Sequence, residues 1–243
     1  MQRDVRIGTC GFNGTKSRYA ALFSSVEVQQ TFYQPPRVPT LERWRTEVPL
    51  DFEFTLKAWQ LITHEAKSPT YKRLKRNLSD QERTGTGFFK PTPIVEEAWQ
   101  TTRACADALR ANVILFQCPA SFDQTREHIS NMVRFFSGIE RNGLTLCWEP
   151  RGPWDRQVVK ALCEDLNLWH VVDPFVSTTM TPEQCYFRLH GRNGWRYKYE
   201  PQELSDLAEL LPPDRRAYVF FNNSYMTEDA QVFKRIVETD RDY

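Results

Sequence analysis

CYFRLHGR, residues 185–192, opens as a buried strand and ends as something else. Tyr186, Phe187 and Leu189 suit a core, yet Arg188 and His190 sit among them and Gly191 closes the run. Seven further runs share the habit of ending on a polar or charged residue: VRIGTC (5–10), SVEVQQT (25–31), FEFTLK (52–57), VILFQC (113–118), LTLCWE (144–149), LWHVVD (168–173) and AYVFFN (217–222). Short β-branched and aromatic runs of this kind read as strands. Between them, helical periodicity runs over about 40–47, 95–110, 124–140, 155–166, 202–211 and 228–238. Eight strands alternating with helices predict a closed parallel (β/α)8, TIM-like barrel, with residues 1–243 as one domain. The segments after the first and sixth strands are short, which predicts a single turn of helix or none there.

The connection 58–94 is too long for an ordinary βα loop. Its basic residues (Lys67, Lys72, Arg73, Lys75, Arg76, Arg83, Lys90) outnumber its acidic ones (Glu65, Asp80, Glu82) by seven to three. Within it, SPTYKRLKRNLSD (68–80) has a capping Ser68, a first-turn Pro69, and Tyr71, Leu74 and Leu78 on one helical face. A basic, amphipathic helical insertion after strand three is therefore expected.

Apolar residues make up 40% of the chain and charged residues 26%, the balance of a folded protein rather than a disordered one. A net charge of +1 supplies no global field for a polyanion, so any nucleic-acid contact must be local. No apolar run approaches a membrane span or a signal peptide, which predicts a soluble, cytoplasmic protein without a membrane partner. Six cysteines fall in apolar or helical runs with no C-x-x-C pair, and are expected to be reduced and buried.

In a parallel barrel all strand C-termini converge on one mouth. The polar endings then form a set: Glu27, Lys57 with His64 just beyond, Gln117, Glu149 and Arg151, Asp173, Arg188 and His190, and Asn222. Buried charge is costly unless paired, so this set reads as a site, the plainer alternative being salt bridges that hold the barrel rim. Lys57, Arg151 and Arg188 suit a phosphate or carboxylate, with Asn222, Gln117, His64 and Tyr33 as further substrate contacts. Glu149, Asp173, Glu27 and His190 suit proton transfer. Glu149, Asp173 and His190 equally suit a divalent metal, and spacing does not choose between the two. Cys10 in GTCGF ends strand one; a lone thiol there is either a nucleophile or small filler, and filler is the commoner case.

The blocks IGTCGF (7–12), SVEVQQTFYQPP (25–36), FEFTLKAWQLITH (52–64), ILFQCPASF (114–122), WEPRGPW (148–154), YFRLHGR (186–192) and VFFNN (219–223) resemble the YecE-like family, known as domain of unknown function 72. The resemblance implies a TIM-like barrel and places Glu27, Phe32, Tyr33, Lys57, His64, Gln117, Glu149, Arg151, Arg188, His190 and Asn222 in the family's signature blocks. Phe12 and NGTKSRY depart from the family's usual first block, and Pro150 separates Glu149 from Arg151. The expected function is an enzyme of phosphoester-hydrolase type acting at the barrel mouth on a phosphorylated, nucleotide-like or nucleic-acid substrate. Two alternatives stay open: a non-catalytic barrel that binds nucleic acid or a partner protein, and a metal-dependent sugar isomerase or lyase.

Overall fold

A computed structural model describes residues 4–239. In chain order its elements are β1 (Val5–Thr9), α1 (Lys16–Leu22), β2 (Ser25–Val28), α2 (Gln30–Tyr33), α3 (Val38–Thr46), β3 (Glu53–Lys57), α4 (Gln60–Thr63), a 3-10 turn (Pro69–Arg73), α5 (Asp80–Gly85), α6 (Pro93–Leu109), β4 (Val113–Gln117), α7 (Arg126–Gly138), β5 (Thr145–Glu149), α8 (Arg156–Asp165), β6 (Trp169–His170), β7 (Cys185–Leu189), α9 (Pro201–Glu209), β8 (Ala217–Phe221) and α10 (Met226–Thr239). All eight strands and the six helices read from periodicity are present. The described residues divide into two compact units, one of 4–27, 47–53 and 169–239, the other of 28–46 and 54–168.

In the first unit, β1 and β7 flank β8 in parallel, in registers that run from Val5↔Ala217 to Thr9↔Phe221 and from Cys185↔Ala217 to Leu189↔Phe221. A bridge between Cys10 and Glu27 ties the end of β1 to β2. Parallel pairing in matched register brings Cys10, Glu27, His190 and Asn222 to the same end of their strands. Close approach fixes Gly8, where a Cβ would stand 2.1 Å from the Ser25 carbonyl oxygen. Gly8→Ala should therefore destabilise the protein by about 2–3 kcal/mol through forced backbone displacement, read as a lowered midpoint in urea.

In the second unit, β3, β4 and β5 are parallel neighbours, from Thr55↔Val113 to Lys57↔Leu115 and from Val113↔Thr145 to Gln117↔Glu149. Phe89, Trp99, Phe116, Phe135 and Phe136 pack ring against ring beneath α6 and α7. Thr125 caps α7 by accepting from the His128 backbone N–H, and Asp155 caps α8 likewise from Gln157 and Val158.

Three local expectations fail for identifiable reasons. The sixth strand shrinks to Trp169–His170, because Thr181 Oγ1 accepts from the His170 N–H and Thr179 Oγ1 donates to its carbonyl, replacing ladder bonds. After the first strand comes two turns of helix, α1, held by Tyr19, whose hydroxyl accepts from the Thr9 N–H and reaches the Ser25 carbonyl at 3.1 Å. The amphipathic helix expected over 68–80 is instead a 3-10 turn, an extended stretch and α5. Tyr71 is tied by its hydroxyl to the His64 carbonyl at 2.7 Å, and Arg76 is tied to Glu82 and Glu97, so the chain is pinned at points a continuous helix would not reach. All six cysteines are buried and none forms a disulfide, as expected. No helix among the described residues is long and apolar enough to cross a membrane.

Candidate active site

Lys57 is the last residue of β3, and its ammonium lies 3.7 Å from the centroid of the Phe32 ring. It is only 5% exposed. A cation over an aromatic face is held by the ring quadrupole, most strongly when desolvated. Thr31 fixes the same corner by donating its hydroxyl to the Lys57 carbonyl at 2.7 Å.

His64 caps the C-terminus of α4, its N–H bonded to the Gln60 carbonyl at 2.8 Å, and its ring meets Phe32 edge to face at 4.9 Å. Burial first, and then the positive charge of Lys57, push its imidazole from the usual 6.5 down to about 3. The ring is therefore neutral at physiological pH. Its Nδ1 lies 2.8 Å from Thr63 Oγ1, and the buried Thr63 hydroxyl has no other side-chain partner among the described residues. With the Thr63 hydroxyl donating and Nδ1 accepting, the ring proton lies on Nε2. In that tautomer His64 presents a neutral N–H donor, on the same Phe32 ring that holds the Lys57 ammonium.

Protonating His64 costs the folded state, which sets a pH dependence. Between pH 6.5 and about 3 the unfolded chain binds more protons than the folded one at this residue, so stability falls as pH drops through that window. The loss is on the order of 5 kcal/mol once the pH is below both values. Replacing His64 with Gln should flatten this part of the stability profile, as measured by urea denaturation from pH 7 to 4.

Strand register brings in a carboxylate. Lys57 pairs with Leu115, two residues before Gln117, and Gln117 pairs with Glu149. Alternation along strands then puts Lys57, Gln117 and Glu149 on one face of the sheet. Glu149 is buried and holds Arg151 Nη2 at 2.6 Å from its Oε1, while Arg151 reaches solvent. The next residue after Gln117, Cys118, is pushed far above the usual thiol range by burial, and the charges of Glu149 and Lys57 both act on it. Tyr33, expected among the substrate contacts, carries the Arg73 guanidinium on its ring.

The first unit holds a separate cluster. Glu27, fully buried, accepts from the Tyr186 hydroxyl at 2.7 Å, from Arg188 Nε and Nη2 at 2.9 Å each, and from the Cys10 thiol at 3.3 Å. Arg188 was expected to hold a substrate anion and Glu27 to transfer protons. Each instead neutralises the other, in a bidentate pair with both side chains at 1% exposure or less. Burial and then the charge of Glu27 raise the Cys10 thiol well above its usual range, so it is filler rather than a nucleophile.

His190 stands at the edge of this cluster, with Nε2 at 3.4 Å from Arg188 Nη1 and Nδ1 at 3.1 Å from the Asn222 side-chain amide. Arginine only donates, so the Arg188 contact calls on a lone pair of Nε2. Asp173, expected as an acid, base or metal ligand, accepts from the backbone N–H groups of Phe175 and His190 and so shapes the turn after β6. Among the described residues there is no group of three or more His, Cys, Asp or Glu side chains able to hold a metal ion.

The sequence did not single out Thr63 or Tyr186. Tyr186 had a usable signal, since it lies two residues before Arg188 and therefore on the same strand face. Thr63 had none, because its role depends on the burial of its neighbour.

The family model described as "Protein of unknown function DUF72" matches residues 14–241. The chain belongs to the DUF72 family. UPF0759 protein YunF of Bacillus subtilis (strain 168) is 23% identical, across 90% of this chain and 84% of its own. A DUF72 protein from Enterococcus faecalis V583 superposes with a TM-score of 0.74 at 20% identity, covering 98% of both chains. One from Thermotoga maritima MSB8 gives 0.68 at 21%, covering 97% of this chain and all of its own. At the level of fold alone, the DUF72 chain is also similar to D-psicose 3-epimerase, with a TM-score of 0.54 at 13% identity over 93% of this chain and 89% of that one. A family 2 AP endonuclease from Brucella melitensis gives 0.58 at 13% over 95% and 96%. These likenesses show a parallel α/β fold of TIM-barrel type, the class expected from the strand count.

Proposed function

We propose that this DUF72 chain is an enzyme that moves a proton on a small, anionic, oxygen-rich substrate, such as a phosphorylated sugar or a nucleotide-like molecule, at the ends of β3, β4 and β5. The observation that carries the proposal is the neutral His64 imidazole and the buried Lys57 ammonium on the same Phe32 ring, and in this reading Thr63 donates to Nδ1 and Nε2 carries the proton. Two donors held in a dry corner suit an oxyanion that develops during reaction, because they need not reorganise as charge forms. Glu149, on the same sheet face as Lys57, is the carboxylate placed to accept the proton.

In the step this supports, Glu149 takes a proton from the carbon beside a carbonyl. The C–H bonding pair becomes the C=C bond of an enediolate, and the carbonyl π pair moves onto oxygen, where Lys57 and His64 hold it. The hydroxyl proton of the deprotonated carbon passes to that oxyanion, the oxygen it leaves becomes the new carbonyl, and return of the first proton to the former carbonyl carbon completes an isomerisation. Gln117 orients the substrate's hydroxyls. Phosphoester hydrolysis is less well supported, because it leaned on Lys57 and Arg188 acting together and Arg188 is paired with Glu27.

The test is incubation of phosphorylated aldoses, ketoses and nucleotides with the protein in D2O, followed by proton NMR and a phosphate-release assay. Carbon-bound deuterium that appears with the wild type and not with Glu149→Gln is the expected result. Release of phosphate without deuterium incorporation would replace proton transfer by hydrolysis.

A further inference from the structure

Six of the seven cations of the 58–94 connection fall into two groups. Lys67 and Lys90 are paired with Glu65, and Arg76 with Glu82 and Glu97. Lys72, Arg73 and Lys75 are exposed, and among the described residues no carboxylate pairs with them. Asp80, the remaining carboxylate of the 58–94 connection, sits in the first turn of α5. Three like charges within four residues repel one another, and an anion lying across them relieves that repulsion.

The segment that carries them is held in place rather than loose. Tyr71 is bonded to the His64 carbonyl, and the Lys75 N–H donates to Gln34 Oε1 at 3.0 Å. Arg73 lies over Tyr33 with its guanidinium carbon 3.5 Å from the ring centroid. One face of the guanidinium is thereby committed to an aromatic ring while the residue stays exposed. A guanidinium plane presented this way is a stacking platform for a nucleobase, whereas a carboxylate would engage the in-plane N–H edge instead.

We infer that Lys72, Arg73 and Lys75, with Tyr33 beneath, form a binding surface for single-stranded nucleic acid. The two lysines take backbone phosphates and one base stacks on Arg73. The observations behind it are independent of the reaction proposed at Lys57, His64 and Glu149, and a failure of either leaves the other standing.

The test is fluorescence anisotropy with a short labelled single-stranded oligonucleotide and an abasic strand of equal length, each across a range of salt. The wild type should bind the base-bearing strand about tenfold more tightly than the abasic one. Lys72→Ala with Lys75→Ala should reduce the salt slope by about 1.4, the share of two phosphates on a single strand. Arg73→Lys keeps the charge and loses the plane, so it should bind both strands alike. Thermal melts matching the wild type establish that these exposed variants fold. No binding at low salt, equal affinity of the wild type for both strands, or an unchanged salt slope in the double lysine variant would each overturn the inference.

Discussion

Glu27→Ala is expected to cost about 3–5 kcal/mol of stability, because it leaves the Arg188 guanidinium buried without its counter-charge. In a chain of this length that corresponds to a fall in melting temperature on the order of 10 °C. The Tyr186 hydroxyl and the Cys10 thiol lose their acceptor in the same variant, which adds unsatisfied polar groups to the uncompensated charge. Replacing both partners distinguishes the cost of breaking the pair from its net worth. Glu27→Met with Arg188→Met removes both charges at similar volume and should recover most of the loss. Equilibrium denaturation of the single and double variants measures this, and a double variant as unstable as the single would mean that the pair itself contributes the stability.

Lys57→Met should lower turnover about 10²–10³-fold, the usual consequence of removing one donor from an oxyanion site. The fold should persist, since the methionine stem still covers Phe32. A second, coupled effect separates electrostatics from packing. Because the charge of Lys57 helps hold the His64 imidazole down, its removal should move His64 back toward its ordinary value while burial keeps it depressed. A Lys57→Met variant that kept full deuterium exchange would remove Lys57 from the chemistry.

Much of the fold was legible because strands announce themselves locally. Runs such as VILFQC and AYVFFN carry their own periodicity, and the helices 93–109 and 226–239 carry theirs. The sixth strand was less so, since its length is decided by Thr179 and Thr181 about ten residues downstream. The 68–80 segment shows periodicity misleading for a physical reason: Tyr71, Leu74 and Leu78 keep helical spacing, but hydrogen bonds to His64 and ion pairs to Glu82 and Glu97 outweigh a short helix's marginal preference.

The candidate site was legible as a list of residues and not as chemistry. Glu27 and Arg188 are 161 positions apart, so nothing in either block tells that each cancels the other's charge. ITHE reads as an ordinary loop cap. What makes His64 distinctive is burial beside an ammonium and a threonine hydroxyl at Nδ1, both products of the folded chain. Register, by contrast, was recoverable in principle: the polar ends of β4 and β5 fall at matched positions with that of β3 two residues short of them, and alternation puts Lys57, Gln117 and Glu149 on one face.

The donor role of His64 rests on its tautomer and charge, and NMR of ring-¹⁵N-labelled histidine reads both. With His64→Gln supplying the assignment among the four histidines, the spectrum should show a neutral ring protonated on Nε2 that remains neutral down to about pH 4. A His64 that titrates near its ordinary value, or that carries its proton on Nδ1, would contradict the donor pair with Lys57 and the proton-transfer function built on it.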